Sequence, residues 1–224
     1  GYQCIQYITG SQIIHYISCS HFFTSFVRLL YNDMRVATKS SKEEMAKMKK
    51  LAVIFPGVGY TCTKPLLYYT AAMAAEHDYE IIRLDYGQDI HTFHGRTPAE
   101  LEPVIKLAIK RTLPQLENVP FNDYDDIIFI SKSIGTTISC QLEGALSLRG
   151  KVKQFLMTPI PSTLRYLSDI NGLFFAGTAD PYMPENKIRA AARNFPEKTG
   201  GIFEDCNHSL EQKGDTLGAI RNLR

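Results

Sequence analysis

The sequence lacks a cysteine framework, a long apolar run and an excess of charge of one sign, and each absence excludes a class of protein. The five cysteines are widely spaced and form no C-x-x-C pair. Neither a disulfide scaffold nor a zinc site is therefore indicated, and a reducing, cytoplasmic compartment is expected. No uninterrupted apolar run approaches the ~20 residues of a membrane-spanning helix. With 25 basic and 23 acidic residues, the chain is not expected to bind nucleic acid.

The remaining composition is that of an ordinary globular protein. Of 224 residues, 44% are hydrophobic and 21% are charged, which is typical of one packed domain rather than a disordered chain. Residues 1–49 differ from the rest, because no Asp, Glu, Lys or Arg occurs before Arg28. They also lack the basic start and clean cleavage site of a signal peptide. We expect 1–49 to be an N-terminal extension of a domain that spans 50–224.

From residue 50 onward, short apolar runs alternate with longer segments of helical period. The run Leu51–Phe55 is followed by Pro56 and Gly57, which predicts a buried strand that ends in a turn. Five similar runs follow, at Glu80–Leu84, Asp126–Ile130, Val152–Met157, Leu173–Ala176 and Gly201–Glu204. The alternation predicts an α/β fold with a mostly parallel central sheet of about six strands and helices on both faces.

Three helices are predicted between these strands. Thr63 before Pro65 indicates the start of a helix through Leu66–Ala75, and Gly150 closes a helix predicted over Ile134–Leu148. The remaining helix has apolar residues at the spacing of one amphipathic face. These residues are Leu101, Val104, Ile105, Ala108 and Ile109.

The third predicted strand runs directly into small residues and then into a helix. Ser133 is preceded two positions earlier by Ser131 and followed two positions later by Gly135. Such spacing is typical of a nucleophile elbow, a sharp strand-to-helix turn that needs small neighbours and exposes the serine hydroxyl. The usual pattern is G-x-S-x-G, so Ser131 replaces the first glycine. Ser133 is therefore a candidate nucleophile.

A serine nucleophile requires a base, and the base requires an acid that orients it. His208 is the only histidine after Ser133 and follows the last predicted strand, while Asp180 follows the fifth. Ser, Asp and His thus occur in this order, each at the carboxyl end of a strand, where ligands gather in parallel sheets. Asp205 is a rival acid, but only three residues separate it from the histidine. Cys206 lacks an elbow and is expected to pack as a small apolar residue.

The loop after the first strand, residues 55–61, contains two glycines. A backbone N–H from Val58 or Gly59, together with the N–H of Ile134, is expected to form an oxyanion hole. The loop is not a dinucleotide-binding fingerprint, because Cys62 stands where the third glycine of G-x-G-x-x-G is required, and the G-K-[ST] ending of a phosphate loop is also missing.

Together these motifs resemble those of the α/β-hydrolase superfamily, in particular its small lidless esterases and dienelactone-hydrolase-like members. The resemblance covers residues from about 51 to the end of the chain and implies an enzyme without a cofactor. It implies a nucleophile, an acid, a base and two oxyanion donors, which are Ser133, Asp180, His208, Val58 and Ile134. Pro56 departs from the pattern, since many relatives have histidine there. Residues 158–172 are too few for a helical cap, which implies an open site.

Other residues near the predicted site are assigned to its wall or to the surface. The expected pocket residues are Gly59, Tyr60, Tyr86, Phe93 and Tyr182, together with His91. His91 and His94 form an H-x-x-H pair, but no carboxylate motif completes it, so no metal site is predicted. Lys132 is expected to project away from Ser133 as a solvated surface charge.

The predicted function is that of a serine hydrolase that cleaves a small ester or thioester through an acyl-enzyme intermediate. The alternative from another class is a non-catalytic α/β-hydrolase-fold protein that binds a partner, because fold alone does not fix function. A flavodoxin-like nucleotide-binding domain fits the alternation but lacks a phosphate-binding loop. Peptidases, thioesterases and C–C hydrolases use the same residue types, and the sequence predicts neither the substrate among these nor the oligomeric state.

Overall fold

All six predicted strands are present, and they form one sheet. The structure is a computed structural model that describes residues 48–94 and 97–214, so the predicted extension lies almost wholly outside the described residues. The strands are β1 (Lys50–Phe55), β2 (Tyr79–Arg83), β3 (Asp126–Lys132), β4 (Val152–Met157), β5 (Asn171–Gly177) and β6 (Thr199–Phe203). Their order is β2-β1-β3-β4-β5-β6, and every neighbouring pair is parallel. The α/β prediction is confirmed, with each strand boundary within two residues of the expected one.

Five α-helices connect the strands within the described residues. They are α1 (Pro65–Glu76), α2 (Gln88–His91), α3 (Pro98–Leu116), α4 (Ile134–Ala145) and α5 (Glu185–Asn194). The three predicted helices correspond to α1, α3 and α4, although α1 is preceded by Lys64 rather than Thr63 as its N-cap. The single turn α2 and the helix α5 were not predicted. None of the described helices is long and apolar enough to cross a membrane.

A capping box formed by Thr97 and Glu100 fixes the start of α3. The apolar stripe predicts the helix but not its first residue. The Thr97 hydroxyl accepts a hydrogen bond from Glu100 N at 3.3 Å, and the Glu100 carboxylate accepts one from Thr97 N at 2.8 Å. Two of the unpaired N–H groups at the helix start are thereby satisfied. The stripe then places Leu101, Ile105 and Ala108 in the core.

Helices cover both faces of the sheet, which explains why inner strands such as β1 are buried along almost their whole length. On one face, Leu67 and Ala71 of α1 pack against Ile54 and other strand residues. On the other face, residues of α3 and α4 pack against Val53 and Phe129. All five of these residues are fully buried.

The strand that follows β1 in the sequence, β2, lies on one side of β1 in the sheet, whereas β3 and all later strands lie on the other side. The site lies where the strand order changes direction, between β1 and β3. The two strands are neighbours, with Phe55 paired to Ser131, so their carboxyl ends open into one crevice. The segment 158–170 between β4 and β5 contains one 3₁₀ helix, Pro161–Tyr166, and no cap domain. The crevice is therefore left uncovered by that segment, as expected from its length.

Candidate active site

Ser133 lies in the sharp turn between β3 and α4, as the elbow pattern predicts. Its φ is 56° and its ψ is −124°, a backbone conformation that residues other than glycine rarely adopt. The turn is fixed because Ser133 N donates to Met157 O at 3.1 Å and Thr136 N donates to Ser133 O at 3.0 Å. Ser133 is the N-cap of α4, so its side chain is presented above the carboxyl edge of the sheet.

The small residue after the elbow is required by a close approach of helix and strand. A Cβ atom on Gly135 would lie 2.5 Å from the carbonyl oxygens of both Phe55 and Pro56. Both contacts are with backbone, which cannot move aside as a side chain could. Ser131 takes the place of the usual glycine. It is fully buried, and its hydroxyl donates to Phe155 O at 3.4 Å, so its polar group has a partner.

We predict that Gly135→Ala destabilises the protein by about 1–3 kcal/mol, the range for overpacking a tight contact. Gly144→Ala in the same helix is the matched control. Its Cβ would meet only the Arg149 side chain, at 3.5 Å, and alanine is the better helix former by up to ~1 kcal/mol. Urea unfolding of both variants tests this, and equal stabilities would contradict the close-approach argument.

The three residues predicted to act together form one hydrogen-bonded chain. His208 Nε2 lies 2.8 Å from Ser133 Oγ, and His208 Nδ1 lies 2.7 Å from Asp180 Oδ2. The second carboxylate oxygen accepts from Tyr182 N at 2.8 Å, so both oxygens of Asp180 have a partner. The Asp180 side chain has no exposed surface, while that of His208 is 15% exposed. Asp180, rather than its rival Asp205, is thus the carboxylate that contacts the histidine.

The loops that carry Asp180 and His208 are held together by their backbones. Ala179 N donates to Cys206 O at 3.0 Å, and a Cβ on Gly177 would lie 2.2 Å from that same oxygen. Glycine is therefore needed at the end of β5 for this approach. Cys206 is itself buried, and burial raises its pKa to about 11, which agrees with a packing role.

The loop after β1 is folded into a tight turn beside the serine. Gly57 N donates to Tyr60 O at 3.0 Å, and Tyr60 N donates to Gly57 O at 3.4 Å. Val58 and Gly59 form the tip, with Gly59 at a φ of 63°. A Cβ on Gly57 would lie 3.0 Å from the Cβ of Ser133, so the turn lies directly against the elbow.

Ser133 and His208 line a cavity of about 180 Å³. Six residues that the sequence assigned to the site also line it: Val58, Gly59, His91, Phe93, Ile134 and Tyr182. Three lining residues were not predicted, namely His94, Leu101 and Ile160. The apolar stripe marked Leu101 as a core residue but gave no sign that it also reaches the cavity.

Two tyrosines predicted to line the pocket do not line this cavity. Tyr86 is fully buried beneath α3, with its ring stacked on His91 at 6.4 Å and its carbonyl oxygen bonded to Arg111. Tyr60 does not line the cavity either, and its hydroxyl accepts a hydrogen bond from Leu66 N, at the start of α1, at 3.0 Å. His91 bonds to Asp85 at 2.9 Å. In the described part of the chain, no group of three or more His, Cys, Asp or Glu is placed to hold a metal ion.

The prediction that Lys132 is a surface charge is wrong. Only 1% of its surface is exposed, and its ammonium group lies 4.2 Å from the centre of the Tyr60 ring. Burial lowers the pKa of Lys132 to about 7, against the attraction of Asp180 and Glu211. The reason for the error is that the Tyr60 turn covers the end of β3, which strand alternation does not show.

The electrostatic surroundings favour the neutral form of the histidine. Burial, followed by the positive charge of Lys132, lowers the pKa of His208 below 6.5, and the Asp180 carboxylate only partly offsets this. A neutral imidazole can accept a proton, whereas an imidazolium cannot. The arrangement therefore provides a hydroxyl, a proton acceptor and an orienting carboxylate at one edge of the sheet.

Comparison with solved structures identifies the architecture as the α/β-hydrolase fold. A protein of unknown function from Agrobacterium tumefaciens, provisionally classed as an α/β hydrolase, matches with a TM-score of 0.53 and 18% identity, covering 78% of this chain and 83% of that one. An α/β serine hydrolase homologue from Coxiella burnetii matches with a TM-score of 0.53 and 14% identity, over 71% and 76%.

A protein from Xanthomonas campestris pv. campestris, provisionally placed in the α/β superfamily of hydrolases, has a TM-score of 0.50 and 14% identity, over 78% of this chain and 96% of that one. No protein-family model and no curated protein matches the sequence. At these identities the similarity establishes the fold alone. It is the fold that the resemblance of the sequence motifs implies.

Proposed function

We propose that the protein is a serine hydrolase that cleaves a small ester or thioester through an acyl-enzyme intermediate. The observation that carries this proposal is the chain from Ser133 Oγ through the imidazole of His208 to Asp180, with separations of 2.8 and 2.7 Å. A strained serine at a strand-to-helix turn, bonded to a neutral imidazole, is the arrangement that activates a hydroxyl for acyl transfer.

In the proposed reaction, Ser133 Oγ forms a bond to the acyl carbon while its proton passes to His208 Nε2. The carbonyl becomes an oxyanion, which the N–H groups of Val58 and Ile134 would stabilise. Ile134 is the first residue of α4, so its N–H has no partner within the helix. When the bond to the leaving group breaks, the imidazolium returns the proton to that group. Water then attacks the acyl carbon while His208 Nε2 accepts one of its protons. The bond between the acyl carbon and Ser133 Oγ breaks, the imidazolium returns that proton to Oγ, and the carboxylic acid leaves.

The size of the cavities supports a small acyl group. The cavity at Ser133 holds about 180 Å³, and a neighbouring cavity of about 240 Å³ shares Leu101, Ile160 and Tyr182 with it. The first has room for a short acyl chain, and the second offers space for the remainder of the substrate. No cofactor is needed, because the reaction requires only proton transfers and addition to a carbonyl.

Labelling with a fluorophosphonate, followed by mass mapping of the modified peptide, tests the proposal. We expect modification at Ser133 in the wild type and its loss in His208→Ala. His94→Ala is the matched control, because His94 lines the same cavity but is not in the hydrogen-bonded chain, and it should label normally. If the folded wild type does not label, the proposal is wrong, and the non-catalytic binding function becomes the better hypothesis.

A further inference from the structure

The cavity of about 240 Å³ beside the one at Ser133 has a polar lining that takes no part in the proposed reaction. The two cavities share a wall made of Leu101, Ile160 and Tyr182. Tyr182 also contacts the imidazole, since its ring centre lies 4.6 Å from that of His208. A substrate held at Ser133 can therefore extend past the shared wall into the second cavity.

Beyond the shared wall, the second cavity lies between α3, α4 and the 3₁₀ helix that follows β4. Each of these three elements contributes two side chains with hydrogen-bonding groups. They are Glu102 and Lys106 from α3, Thr137 and Gln141 from α4, and Ser162 and Arg165 from the 3₁₀ helix. The second cavity therefore suits a polar part of a substrate.

Four of these six side chains are already paired with one another. The Thr137 and Ser162 hydroxyls lie 2.8 Å apart and form a hydrogen bond. Lys106 Nζ contacts Glu102 Oε1 at 2.8 Å, one turn away on the same helix. These pairs leave Gln141 and Arg165 as the side chains with unused hydrogen-bonding groups.

The guanidinium of Arg165 is held on one side and left open on the other. Its Nε donates to Ser162 O at 3.0 Å, and its central carbon lies 5.4 Å from the centre of the Tyr166 ring. Within the part of the chain that the structure describes, neither its two Nη atoms nor the Gln141 amide has a hydrogen-bond partner. Two parallel N–H groups of arginine match the two oxygens of a carboxylate.

The charges around the second cavity also favour an anion. Lys106 and Arg165 are positive and Glu102 is negative, which leaves one positive charge. The contact with Lys106, and to a smaller extent the charge of Arg165, lowers the pKa of Glu102 and keeps it ionised. Because Glu102 pairs with Lys106, the cation left without a carboxylate is Arg165, and one carboxylate would balance it.

We propose that the second cavity binds a carboxylate on the leaving group of the substrate, held by the Nη atoms of Arg165 with the Gln141 amide as a further donor. This inference rests on the hydrolase function proposed above. It places the acyl group in the smaller cavity at Ser133 and the leaving group in the larger one. The substrate class is thereby narrowed to small-acyl esters of a hydroxy acid or thioesters of a mercapto acid.

The test compares kcat/KM for 4-acetoxybenzoate and 4-acetoxybenzamide, which share the acetyl group and the ring but differ in charge. Arg165→Gln should lower the ratio of the acid to the amide by about tenfold, as expected for a lost hydrogen bond to a charged group. Arg149→Gln is the matched control, because Arg149 is an exposed arginine that lines neither cavity. An unchanged ratio in Arg165→Gln, or an equal fall in Arg149→Gln, would overturn the inference.

Two further comparisons test the sign of the charge effect and the side of the ester that carries the carboxylate. Glu102→Gln removes the negative charge from the cavity and should raise the same ratio; a fall would contradict the inference. Monoethyl succinate and ethyl succinamate carry the acid and the amide on the acyl side. If Arg165→Gln changes the ratio for that pair alone, the assignment to the leaving group is wrong.

Binding measured by NMR separates this inference from the proposed function. The product 4-hydroxybenzoate should bind the folded wild type more tightly than 4-hydroxybenzamide does, and Arg165→Gln should remove the difference. If the wild type hydrolyses none of the esters, the hydrolase function is wrong, whereas equal binding of the acid and the amide would overturn only the carboxylate site.

Discussion

The proposed function predicts that Ser133→Ala lowers kcat by ~10⁴-fold or more, as removal of the nucleophile does in serine hydrolases. The Ser133 hydroxyl is the group that lies 2.8 Å from His208 Nε2, and alanine leaves the imidazole with no proton to accept. The fold should survive, because the backbone bonds of Ser133 to Met157 and Thr136 do not involve the side chain that is removed. Hydrolysis of p-nitrophenyl acetate and thermal unfolding measure the two effects separately.

Ser131→Ala is the control for this prediction, because the two serines stand two residues apart in the same elbow. Ser131 is fully buried, and its hydroxyl is 3.4 Å from Phe155 O. Alanine keeps the position small, as the elbow requires, so activity should stay close to that of the wild type. Wild-type activity in Ser133→Ala would refute the nucleophile assignment.

The sheet could be predicted because its inner strands β1, β3 and β4 are buried on both faces. A run such as Leu51–Phe55 has no polar residue to show an exposed side, and in the structure all five residues are fully buried. Parallel strands of this kind need crossover helices, and α3 supplied the apolar stripe that marks one. The short helix α2 could not be predicted in the same way, because four residues are too few to show a helical period.

The order of Ser133, Asp180 and His208 was visible in the sequence because each follows a strand of a parallel sheet. Whether the three side chains meet depends on contacts that no local pattern contains. The bond from Ala179 N to Cys206 O brings the last two loops together, and Gly177 permits it through a contact of backbone with backbone. The sequence predicts that the loops carrying Asp180 and His208 are neighbours, and the structure gives the distances between the side chains.

Lys132 and Tyr86 were misplaced for a related physical reason. A lysine at the end of a strand is usually exposed, and an aromatic residue after a strand often lines a pocket. Here the Tyr60 turn covers the lysine, and Arg111 of α3 bonds to the carbonyl of Tyr86. Both burials are produced by elements distant in sequence, and periodicity describes only neighbours along the chain.

Asp180→Asn is expected to lower kcat by about 10⁴-fold at neutral pH, with little change in stability. The carboxylate accepts from the Nδ1–H of His208 and so leaves Nε2 free to accept the serine proton. Asparagine can instead donate its amide N–H to Nδ1, which favours the tautomer that carries its proton on Nε2 and cannot act as the base. The rate of p-nitrophenyl acetate hydrolysis, with circular dichroism to verify the fold, measures this effect.

Asp205→Asn is the matched control, since Asp205 is the rival carboxylate three residues before the histidine. It is exposed, and its backbone has a φ of 56°, which asparagine adopts as readily as aspartate. Near-wild-type activity in this variant, beside the loss in Asp180→Asn, would assign the orienting role to the buried carboxylate. The reverse pattern would mean that the loop after β6 orients its own histidine, and that the carboxylate at the end of β5 serves the fold alone.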